Sequence, residues 1–157
     1  MFRTAKVLLT AAALTATLPA VAQDVDPAIA GAIKARQAHM QLLAFNLGTI
    51  GAMAQGKAEY NAEAAQAAAD NIVALTTIHQ AAYWPEGSDS VSVASSNALP
   101  ALWADFPGVM AKGTAMSEAA VAMQAAAGTD LASLQGAMGA LGASCGGCHE
   151  AFRKPRQ

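Results

Sequence analysis

Residues 131–154 read LASLQGAMGALGASCGGCHEAFRK. Leu131, Leu134, Met138, Leu141, Cys145, Cys148 and Phe152 recur there at unbroken steps of three and four, the apolar stripe of an amphipathic helix. Such a stripe needs partner helices to cover it, because tertiary packing supplies most of a helix's stability. Thr129 or Asp130 is the expected N-cap, and the helix is expected to end near Arg153. Both cysteines lie on the stripe, so both are expected on the core-facing side.

The rest of the chain repeats this logic. It is rich in alanine, the best intrinsic helix former. A first helix is expected after Asp26, with Pro27 at its first position, running to about Gln55 with Gly56 as the stop. Its stripe is Ile29, Ile33, Arg36, Met40, Leu43, Leu47, Ile50 and Ala54, a heptad seam carrying one cation at Arg36. A second helix fits Asn61 to about Ala82. The stretch YWPEGSDSVSVASSNALP (83–100) then reads as a long connection. A third helix is expected from Leu99 to about Ala127, with Pro107 and Gly108 kinking or dividing it. No segment alternates as a strand would. The expected fold is all-α, an antiparallel four-helix bundle with one longer crossing between the second and third helices.

Residues 1–22, MFRTAKVLLTAAALTATLPAVA, combine Arg3 and Lys6, a short apolar run and an Ala-Val-Ala end. They read as a secretory signal peptide, leaving 23–157 as one domain with no membrane span after processing. Removing them changes the net charge from −2 to about −4. The one cationic cluster, Arg153, Lys154 and Arg156, suits a solvated helix end, so nucleic acid is not an expected partner. The sequence shows no general-base constellation, and the protein is not expected to be an enzyme.

Cys145, Cys148 and His149 hold the chain's only sulfhydryls and one of its three histidines. On a helix they project from one side, so two thiols can add to the two vinyl groups of a haem while the imidazole reaches its iron. A structural zinc site would need more donors than His39 and His79 can add. A thioredoxin-like pair expects a βαβ unit, and a disulfide three residues long would brace only one turn. Export agrees with haem c, which bacteria attach outside the cytoplasm. One covalent haem c, with its iron, is the expected cofactor.

A Cys-x-x-Cys-His-x-x-aromatic-Arg ending on the last helix of an alanine-rich bundle resembles the cytochrome c prime, or class II c-type, family. Cys145, Cys148, His149, Phe152 and Arg153 carry that pattern; residues 33–60 and 98–106 resemble family segments too. The resemblance implies His149 as proximal ligand and Arg36 near the haem propionates. It gives Phe152 and Arg153 places around the cofactor. The family divides over the iron's other face: some members leave it open to NO or CO, and others place a first-helix methionine on it. The matching position is Met40. A Met/His pair suits a periplasmic electron carrier with redox proteins as partners, the expected function. The alternative is a five-coordinate, high-spin protein that binds NO or CO, with Met40 only filling the core. His39 is expected about 100° off the seam, at the surface or between subunits. His79 is expected to pack inside the second helix, and Trp84, Trp103 and Phe106 to form core or pocket walls. The family's habit of pairing through its first two helices makes Leu42 and Phe45 candidates for a homodimer face.

Overall fold

A computed structural model describes residues 25–155. The signal-peptide expectation for 1–22 and the cation at Arg156 fall outside them. Four long helices, α1 (Pro27–Ala54), α2 (Ala62–Thr76), α4 (Phe106–Ala127) and α5 (Leu131–Phe152), form an antiparallel bundle, with the short α3 (Ala101–Ala104) between them.

Local chemistry sets most helix ends. Asp26 Oδ1 accepts from Ala28 N at 2.8 Å, with Pro27 in the first turn, and α1 stops before Gly56, whose φ of 68° suits glycine. Asn61 and Asp130 cap α2 and α5 in the same way, accepting from Ala64 N and Ser133 N. Two boundaries differ from expectation. The second helix ends at Thr76, six residues early, because the hydroxyls of Thr76 and Thr77 turn back onto the carbonyls of Val73 and Ala74. The third is divided, not kinked: Asp105 ends α3 and caps α4, and its side chain lies where a Cβ at position 108 would stand, so that position is glycine.

Around the bundle α1 packs on α2, α2 on α4, α4 on α5, and α5 returns to α1. Ala65, Ala68 and Ala69 of α2 meet Ala119, Ala120 and Ala127 of α4 in the core, with Ile50, Ile72, Met123, Leu134 and Leu141 filling the space between. Small residues on both helices let the axes approach closely. α1 touches α5 far more sparingly than it touches α2. The 77–100 crossing closes the end of the bundle where α5 finishes. There Ala98, Leu102 and Phe152 form a second small core, packed by Trp84, Trp103, Val109 and Cys148.

Ala120 is fully buried at the α2–α4 contact. Ala120→Leu is expected to destabilise the protein by about 1–3 kcal/mol through overpacking, read as an earlier midpoint in denaturant unfolding.

Candidate haem site

Each of the two long stripes resolves into two. On α1, Arg36, His39, Leu43, Asn46, Ile50 and Met53 are buried, facing α2 and the crossing. Asn46 meets Asn71 of α2 at 3.0 Å. A second line, Met40, Ala44, Leu47, Gly51 and Ala54, runs at steps of four and three towards α5. A Cβ at Gly51 would stand 3.9 Å from Met138 Cε, and Gln135 Nε2 donates to the Ala54 carbonyl at 2.8 Å. On α5 the buried line is Leu134, Leu141 and Phe152, while Gln135 and Met138 meet α1, and helical spacing continues their line through Gly142, Cys145 and His149.

Those two contacts share one antiparallel register, each step up α1 matching one step down α5. Continued at 1.5 Å per residue along both helices, that register sets Ala44 level with Cys145 and Met40 level with His149. By this helical extrapolation the sequence-predicted ligands would share one height along the two helices. Beside this seam an open groove of about 410 Å³ runs between Leu47, Gly48 and Met138.

Several expectations need correction. His39 is buried at 5% exposure, its ring 6.2 Å from that of Tyr83, and not at the surface. Met40 is 36% exposed, standing outside the packed α1–α2 core. A helix with neighbours on two sides has no single seam, and a one-residue turn of 100° assigns these two residues to different neighbours. His79 lies exposed beyond α2, since the helix ends before it, and Phe106 is exposed at the start of α4. Leu131 is exposed at the start of α5; Cys145 and Cys148 are half-buried, Cys148 against the small core, in keeping with a core-facing side.

The residues around the motif fit a tethered haem. Both cysteines are free thiols one turn apart, and His149 beside them is half-buried. Burial pushes the Cys148 thiol up, opposed in part by the Lys112 ammonium and reinforced by Cys145. A Cβ at Gly147 would stand 3.2 Å from Lys112 Nζ, so the glycine leaves room for that cation beside the tether. Phe152 is buried against the same small core as Cys148, and Arg153 lines a cleft of about 440 Å³ with His149 and Glu150. Among the described residues no group of three or more His, Cys, Asp and Glu side chains could hold a metal ion by itself.

Arg36 has protein partners that the sequence did not mark. Its Nη1 donates to the Tyr83 carbonyl at 3.1 Å and to Ser88 Oγ at 2.7 Å. Its Nη2 donates to the Ser88 carbonyl and to Ser96 Oγ. The guanidinium lies 4.9 Å from the centre of the Trp84 ring and 6.0 Å from that of Trp103. Acceptors from the crossing compensate the buried cation. Ser88 and Ser96 carried no signal in the sequence that could have marked them, being two of many serines in an irregular stretch.

A family model described as cytochrome C′ matches residues 31–153. The chain belongs to the cytochrome c′ family. Cytochrome c-554 of Cereibacter sphaeroides is 47% identical over 137 residues, covering 87% of this chain and 89% of the relative. Cytochrome c′ of the same species is 37% identical over 145 residues, covering 92% and 96%. The solved structure of cytochrome c′ from Rhodobacter sphaeroides superposes with a TM-score of 0.80 at 35% identity, covering 82% of this chain and 98% of that one. Membership makes this protein a monohaem c-type cytochrome with one covalent haem c, and the family's bundle is the fold described above.

Denaturing mass spectrometry of the Cys145→Ala/Cys148→Ala double variant is expected to find the bare chain, where the native protein carries the mass of one haem. His149→Ala is expected to keep the haem mass while changing the visible spectrum.

Proposed function

We propose that this cytochrome c′ family member carries single electrons in the periplasm, with its iron held by His149 on one side and Met40 on the other. The observation that carries this reading is the α1–α5 register, which supports a methionine and a histidine at one height on facing helices. When bound, haem c supplies a one-electron iron couple, and Met/His ligation raises its reduction potential. The chain's own residues do the rest. Cys145 and Cys148 tether, His149 presents its imidazole from α5, and Met40 presents a soft thioether from α1. Phe152 walls the tether, and Arg153 sets a cation beside the proximal histidine. Nothing in this reading asks for substrate turnover, and its partners are redox proteins.

A second reading leaves the iron five-coordinate and high-spin, with the α1 side open to NO or CO. Its support is the run of solved cytochromes c′ among the structural relatives, together with Met40's exposure. The relatives speak more for this second reading, and the register speaks for the first. Ferric and ferrous absorption spectra with and without carbon monoxide separate them. Met40 ligation predicts a low-spin spectrum, little carbon monoxide binding, and conversion by Met40→Ala to a high-spin form that takes the gas. A high-spin native spectrum that Met40→Ala leaves unchanged would overturn ligation in favour of the open face.

Leu42 and Phe45 on α1 are 53% and 73% exposed, which supports a homodimer through this helix. Sedimentation at micromolar concentration is expected to show a dimer that Phe45→Lys dissociates. A native protein that runs only as monomer removes this part of the reading.

A further inference from the structure

The crossing is held at both ends, and the two holds belong to different helices. At one end Arg36 of α1 spends four N–H groups on Tyr83, Ser88 and Ser96. Gln37 adds a bond to the Ser95 carbonyl at 2.8 Å. Ser88 and Ser96 are completely buried, and the Ser90 amide closes the loop on the Ala98 carbonyl. At the other end Leu99 N donates to the Phe152 carbonyl at 2.8 Å and Lys154 N to the Asn97 carbonyl at 2.9 Å, around an antiparallel bridge between Ala98 and Arg153. Arg153 N in turn closes on the His149 carbonyl at 3.1 Å. One short segment, 83–99, thus joins a buried cation on α1 to the last turn of α5.

The chemistry of the α1 end makes this an all-or-none hold. A buried guanidinium is tolerated only when its donors are satisfied, and here burial already pulls its pKa down, with Asp89 opposing the shift. Lysine cannot replace it: its point charge lacks the planar fork that reaches two serines and two carbonyls and stacks on Trp84. The crossing has few apolar anchors of its own, Val93 and Ala98 being its buried hydrophobic residues. Without the fork little else seats it on α1.

We propose that Arg36 is a positioning residue that acts through the 83–99 crossing, latching it to α1 and thereby holding the end of α5 that carries His149. The latch stands on protein contacts alone; only its effect on the iron rests on His149 being the proximal ligand. Hydrogen exchange on the haem-loaded protein tests it, comparing the native chain with Arg36→Lys and with Ser88→Ala/Ser96→Ala. In both variants the amides of Leu99 and Lys154 are expected to exchange at least about tenfold faster, as loss of a charge-assisted hydrogen bond implies. The amides of Ala69 and Met123, in the main core, are expected to keep their native rates. The reduction potential is expected to move in both variants, although neither serine is a ligand. Should Arg36→Lys fail to fold, the serine pair carries the test alone. Native exchange at Leu99 and Lys154 in the serine variant would overturn the proposal. So would a shifted potential in Arg36→Lys without faster exchange, since that would mean the cation acts directly on the cofactor. A spectrum that refutes Met40 ligation leaves the exchange result untouched, so the two readings fail separately.

Discussion

The antiparallel register of α1 against α5 is the constraint on which the site depends. Two contacts establish it far from the motif, Gln135 on the Ala54 carbonyl and Met138 against Gly51. Because both helices advance 1.5 Å per residue, a register set at one end is delivered at the other. It brings Met40 level with His149, eleven residues further along each helix. A slip of one turn would place Ala44 or Arg36 there, and neither offers a soft ligand. The rigidity of the helices thus carries a contact at one end into the alignment of residues at the other.

The bundle is asymmetric in a way that serves this placement. Between α2 and α4 the alanines bring two backbones together and fill the space with Ile72 and Met123. Between α1 and α5 the contact is sparse, with Gly48 and Gly51 beside an open groove. A core that was equally tight on all sides would leave no room between the helix with the tether and the helix with Met40. The close side carries much of the core, and the parted side keeps the open groove beside Met138. Met40, Cys145 and His149 are accordingly not part of the buried set.

What could be read from the sequence was what is local. Asp26, Asn61 and Asp130 are caps because a short side-chain oxygen reaches an amide two or three residues on, and the Cys-x-x-Cys-His spacing carries its chemistry within five residues. The heptad count found the helices but merged two faces into one seam, because a spacing of three and four fits lines that differ by a single residue. Choosing between His39 and Met40 requires knowing which neighbour lies where. The partners of Arg36 were beyond reach for a related reason: Ser88 and Ser96 stand 52 and 60 residues away, in a stretch without periodicity. The early end of α2 was hidden because Thr76 and Thr77 are acceptable helix residues until their hydroxyls find carbonyls.

His39 and Met40 show how one helix divides its duties. The imidazole is inside, beside Tyr83, where burial holds its pKa below the ordinary value and favours the neutral ring. Arg36, one turn before it on the same face, keeps its charge because the crossing returns a full set of acceptors. This face of α1 is therefore polar but compensated, and it anchors the crossing. The adjacent face carries Met40, Ala44, Leu47 and Gly51, with no charge to compensate. Separating the polar anchor from the apolar face by 100° lets α1 hold the end of the bundle closed while presenting a separate surface of thioether and small side chains.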